Sequence, residues 1–172
     1  MVAMLNYGAA AQTYFNYKPY ELMNSSLTAQ QKAMVSPYAA SMVNSLPKPN
    51  AAKSGIFANS GGFSKRMPSV SFEGAFCIHY FFTPSYAASS MKLYYWTQED
   101  YDAVSTLTPA NATGVLRMSS TTGTYETVVR GIAAKDLSKA VYVAAVYSDG
   151  TTTWTSGVLG YSIGNYCSSM AK

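Results

Sequence analysis

The chain has 172 residues, of which 48% are hydrophobic, 14% aromatic and 12% charged, with 15 Tyr, 2 Trp, 1 His and a formal net charge of +4. That length suits one ordinary domain with its own core, and the charged share is well below the usual quarter of a soluble domain. The basic residues Lys48, Lys53, Lys65, Arg66, Arg117 and Arg130 are scattered, which argues against a nucleic-acid stripe, and the apolar run around Ala140 to Val146 is far short of the roughly 20 residues of a membrane span.

In chain order, Met1, Met4, Gly8, Ala11 and Phe15 recur at helical spacing, and Asn16 and Pro19 end that stripe. Thr28 and Gln31 form a capping-box pattern for a second helix, interrupted at Pro37. Met1 opens into this pattern without a charged leader, so an exported chain would take its signal from upstream. The stretch from Ser45 to Pro68 is rich in Pro, Gly, Ser and Asn and reads as a connector.

Beyond Pro68 the period changes to two. Val70, Phe72, Phe76, Ile78, Tyr80 and Phe82 alternate along one predicted central strand, and Met91 to Trp96 form a second. A polar turn follows at Gln98 to Asp102. Val115 to Ser119 and Tyr125 to Ile132 read as a hairpin, and Ala133 to Leu137 as a helical turn. Val141 to Tyr147 and Thr151 to Val158 read as a second hairpin, turning on Asp149-Gly150. Ser162 caps a final helix whose Ile163, Tyr166, Cys167 and Met170 share a face.

About six strands at hairpin spacing imply a mainly β chain: an antiparallel β-sandwich, immunoglobulin-like or similar, packed against N- and C-terminal helices. The organisation read from the sequence is a helical segment over 1–46, a connector over 47–69 and the sandwich with its closing helix over 70–172, all in one structural unit. Cys77 and Cys167, the only two cysteines, are too few for a disulfide scaffold or a zinc site. They form one disulfide or stay as buried thiols. The predicted packing puts both in the layer between sheet and helices, with α-carbons within about 7 Å.

The segment Ala3-Met4-Leu5-Asn6-Tyr7-Gly8-Ala9-Ala10-Ala11-Gln12-Thr13-Tyr14-Phe15-Asn16-Tyr17 resembles one that recurs in large secreted and surface proteins of gut Firmicutes. Ser71 to Phe76, Tyr80 to Tyr86 and Leu93 to Trp96 are similar to the opening of the β-rich part of such modules, and Ile132 to Leu137 with Gly160 to Cys167 to its end. The resemblance implies an extracellular or cell-surface location and a monomeric module of a longer chain. Such proteins also carry leucine-rich repeats, dockerins or sugar-degrading domains, and some are thought to bind host immunoglobulin. It implies no catalytic residues and no cofactor.

His79 stands mid-strand with no nucleophile at motif spacing, so it reads as structural, and no enzyme is expected. Glu99, Asp100 and Asp102 lack the alternation and glycine of a calcium loop and read as a solvated turn, with no metal expected. Asn24 and Asn111 match a glycosylation pattern that means little in a bacterial protein. The aromatics remain. Tyr94, Trp96, Tyr101, Tyr147 and Trp154 sit on strands or turns among Ser, Thr and Asp, the composition of rigid contact surfaces, and are the candidate binding residues. The expected partner is a host protein, immunoglobulin or a glycoprotein. The alternative is a glycan, in a carbohydrate-binding or spacer module.

Overall fold

The computed structural model describes residues 49–88, 90–120 and 122–170, the last three without side chains. Both helices expected over 1–46 lie outside the described residues, as does their packing. The strands are β1 (Phe63–Lys65), β2 (Ser69–Phe72), β3 (Phe76–Pro84), β4 (Ser90–Trp96), β5 (Gly114–Arg117), β6 (Ser119–Ser120), β7 (Tyr125–Ile132), β8 (Val141–Ser148), β9 (Thr153–Thr155) and β10 (Leu159–Tyr161). Two helices, α1 (Gln98–Ala103) and α2 (Ile163–Met170), complete the described chain with short 3-10 turns.

The strands form two five-stranded sheets. The first has the order β1-β3-β7-β6 with β2 also on β3; the second has β10-β8-β4-β5 with β9 also on β8. All their pairings are antiparallel. In each sheet one edge position is shared by two short strands lying end to end, β1 and β2 in the first, β9 and β10 in the second. Pro68, which cannot donate to a ladder, separates β1 from β2. Between β9 and β10 the buried Ser156 keeps the pairing satisfied, since its Oγ accepts from Ala145 N at 2.9 Å while its own N donates to Ala145 O at 2.9 Å.

The core between the sheets is built by alternation. Ile78, Tyr80 and Phe82 of β3 and Val129 of β7 face Met91 and Leu93 of β4 and Val143, Ala145 and Tyr147 of β8. Tyr80 donates across the gap to Val141 O at 3.4 Å, and burial raises its phenol pKa far above the ordinary value. Ile163, Tyr166 and Cys167 of α2 pack on the same core, with Ser162 Oγ accepting from Asn165 N at 3.0 Å as the N-cap. The antiparallel sandwich and its closing helix are as the sequence pattern implies.

Several local expectations change. The strand expected over Val70 to Phe82 is the hairpin β2-β3, turned at Gly74 with φ +78° and closed by Glu73 N to Ala75 O at 2.9 Å. The polar turn at Gln98 is the helix α1, capped where Thr97 Oγ1 accepts from Asp100 N at 3.2 Å. The hairpin expected from Val115 is divided, because β5 pairs with β4 in the second sheet and β6 with β7 in the first. The later hairpin turns on Gly150 and Thr151, one residue further on than expected, with Asp149 N donating to Thr152 O at 3.3 Å. Both cysteines are free. Cys77, paired with Ser71 in the first sheet, is buried, Cys167 of α2 packs on the core between the sheets, and no disulfide joins them.

The connector is the largest difference. Its second half supplies β1, and Phe57 is buried in a second core on the outside of the second sheet. There Phe57, Leu107, Tyr101 and Ala140 cover Trp96, Tyr142 and Ala144.

Candidate functional site

The second core decides the fate of the sequence-predicted site. Tyr94 and Trp96 share the outer side of β4, and the Phe57 ring lies 5.2 Å from each. Trp96 is 0% exposed, and its Nε1 donates to Asn111 Oδ1 at 3.1 Å. Tyr101 stacks on Tyr142 at 3.6 Å and 7°, donates to Asn50 O at 3.1 Å and accepts from Lys53 N at 2.9 Å. Lys53 Nζ donates to Tyr101 O at 2.6 Å and so holds the covering segment to the last turn of α1. The flat exposed patch expected of Tyr94, Trp96 and Tyr101 is therefore absent: Trp96 and Tyr101 are core, and Tyr94 is half-buried. Tyr147 is also core, on the inner side of β8.

Trp154 leads elsewhere. Paired with Tyr147 across β8 and β9, it stacks on that ring at 5.1 Å and 16°, and also on Tyr86 at 4.9 Å and 25°. The three rings form a column from the core to the surface, ending in Tyr86, which is 56% exposed. Its base is rigid. Tyr147 Oη donates to Gly62 O at 3.0 Å, and the same carbonyl accepts from Ser85 N at 2.9 Å, tying the loop before β1 to the loop after β3. Gly62 is required there, since its φ is +73° and a Cβ would come within 2.7 Å of Trp154 Cδ1. Burial, its largest cause, raises the Tyr147 pKa, and the nearby Tyr86 and Asp149 also raise it.

The sequence reading missed Tyr86. A signal was present: in Ser85-Tyr86-Ala87-Ala88 a large ring stands among small loop residues with no strand period to bury it. Such a ring either finds a partner or faces water, and Tyr86 does both.

A second cluster lies on the outside of the first sheet. Ser71 Oγ is 2.8 Å from His79 Nε2, and His79 Nδ1 is 2.8 Å from Glu126 Oε1. The order of groups matches a nucleophilic triad. However, Ser71 Oγ also donates to Glu73 Oε1 at 3.0 Å, and Glu73 is paired with Arg130. A carboxylate beside the hydroxyl would repel the oxyanion that acyl transfer must stabilise. The cluster links β2, β3 and β7, as a structural His79 would.

The acidic residues are each engaged separately: Glu99 pairs with Lys139, Asp100 accepts from Thr113, and Asp102 accepts from Gln98 at 3.0 Å. Lys139, which pairs also with Asp136, holds the Glu99 carboxyl below its ordinary pKa. Among the described residues no three His, Cys, Asp or Glu side chains converge as a metal site would need, and no helix is long and apolar enough to cross a membrane.

Two packed antiparallel sheets with an aromatic column emerging at one end define a β-sandwich module. No protein-family model matches the chain, and no curated protein matches it. Among solved structures it is similar to the Br derivative of BhCBM56, with 14% identity and a TM-score of 0.39 over 57% of this chain and 97% of that one. It is also similar to a carbohydrate-binding module family 56 beta-1,3-glucan binding domain, with 13% identity and a TM-score of 0.37 over 59% of this chain and 99% of that one.

Proposed function

We propose that this chain is a non-catalytic carbohydrate-binding module that acts outside the cell and stacks a sugar ring on Tyr86. The observation that carries the reading is the ring column: Tyr86 presents an open aromatic face held in place by Trp154 and Tyr147. A pyranose presents a flat C–H face to such a ring, and a preorganised ring loses little entropy on binding. The reading stands on that geometry; the second similar structure is itself a beta-1,3-glucan binding domain. The host-protein reading drew on Trp96, Tyr101 and Tyr147, which are buried, and so it has less support.

The test sets the purified chain and its Tyr86→Ala variant against a glycan array and immobilised immunoglobulin. Glycan binding that falls about tenfold or more in the variant, the equivalent of about 1.4 kcal/mol, with an unchanged circular dichroism spectrum, is the expected result. Glycan binding indifferent to Tyr86→Ala, or binding to immunoglobulin alone, overturns it.

A further inference from the structure

We infer that Lys92 and Arg117 form a second binding site, on the outer side of the second sheet, which takes the oxyanion of an acidic sugar: a sulfate ester or a uronic carboxylate. The inference shares the ligand class of the carbohydrate reading and uses none of its residues.

Strand register brings the two cations together. Lys92 of β4 lies directly opposite Arg117 of β5, and two residues along Tyr94 lies opposite Val115. Directly opposite residues of an antiparallel pair share a face, with Cβ atoms about 4.5–5.5 Å apart. Lys92 and Arg117 therefore stand side by side on the face that also carries Tyr94 and Trp96. Both are exposed, and among the described residues neither has an acidic partner. Like charges so placed repel each other.

The backbone beneath them is fixed. β4 is paired on both sides, Lys92 with Arg117 and with Val146 of β8, and Met118 N donates to Met91 O at 3.0 Å just beyond the pair. Lys92, Arg117, Ser90, Met91 and Val115 line a depression of about 380 Å³, a size that suits a small molecule. Val115, 48% exposed, gives it an apolar side. An anion that bridges Lys92 and Arg117 accepts charge-assisted hydrogen bonds from both and cancels their repulsion, while the C–H face of the sugar bearing it covers Val115. Two neighbouring cations make no basic stripe of the kind a nucleic acid needs.

The experiment measures, in low salt, the affinity of the full chain for glucose 6-sulfate, glucuronic acid, methyl β-glucoside, inorganic sulfate and a short DNA duplex. The variants are Lys92→Gln, Arg117→Gln, the two combined, Tyr86→Ala, and Lys135→Gln as a cation outside the depression. One or both acidic sugars should bind more tightly than the glucoside or inorganic sulfate, and their order assigns the preferred oxyanion. Each single glutamine should weaken that binding about two- to fivefold and the pair about tenfold, with Lys135→Gln and Tyr86→Ala without effect. Without ligand, Arg117→Gln should melt no lower than the unaltered chain, because it removes a repulsion. Acidic sugars that bind no better than inorganic sulfate or DNA, or that lose as much to Lys135→Gln as to Lys92→Gln, overturn the inference. Acidic sugars held through Lys92 and Arg117 in a chain whose glycan binding is indifferent to Tyr86→Ala uphold it and overturn the Tyr86 reading alone.

Discussion

The two sheets share one plan and differ on their outer faces. Each has a long central strand with a split edge on one side, β3 with β1 and β2, and β8 with β9 and β10. The outside of the first carries Ser71, His79, Glu126 and Arg130, whose hydrogen bonds and ion pairs are made among themselves and with Glu73 in partly exposed positions. The outside of the second carries Trp96, Tyr142 and Ala144, and the chain returns twice to cover it, with residues 51–57 and with 101–112. A polar face can stay wet at little cost. An apolar face of that size cannot, and about 25 cal/mol for each Å² removed from water makes ordering a loop worthwhile. Among the described residues, outer-face composition, more than strand order, thus separates the polar side of the sandwich from the side the chain returns to cover.

The comparison breaks most readily at its centre. Trp96→Ala empties the middle of the second core and leaves Asn111 without its indole donor; about 3–5 kcal/mol of destabilisation is expected in denaturant unfolding. Phe57→Ala tests whether the covering segment is part of the fold. It should cost about 3–5 kcal/mol, whereas a connector merely draped over the sheet would yield under about 0.5 kcal/mol, the usual weight of a surface substitution. Ser156→Ala strips the side-chain acceptor from a buried Ala145 N–H and should cost about 1–3 kcal/mol. On the polar face, Glu126→Gln weakens a half-exposed pair with His79, and a loss of about 1 kcal/mol or less is expected. A loss as large as that of Trp96→Ala would remove the distinction between the two faces.

The smallest effect concerns pH. Asp149 has a folded-state pKa lowered by its bonds from Thr152 and Thr151. Its contribution is therefore fully present above the unfolded-state value and is lost as pH falls through the folded one. Melting curves of the unaltered chain and Asp149→Asn should differ at neutral pH and converge below the ordinary aspartate range. A gap that persists there would mean the variant acts through the shape of the turn and not through the charge.

The sequence by itself determined the β-rich class, the alternation that places Ile78, Tyr80 and Phe82 inside, and the Ser162 cap of the last helix. These are local matters: a two-residue period and a hydroxyl beside a helix start are legible without knowing any partner. It also offered aromatic residues as candidates, but among them it chose Trp96, Tyr101 and Tyr147, which the fold buries, and passed over the exposed Tyr86. Only the tertiary structure could decide that, because outward on a strand means exposed only if no other segment returns to cover it. For Trp96 the cover is Phe57, distant in the chain and set in a stretch whose glycines and prolines resemble a linker. For Tyr86 the support is Trp154, on the opposite sheet. Burial and stacking are long-range properties of the folded chain, and no local pattern of residues encodes them.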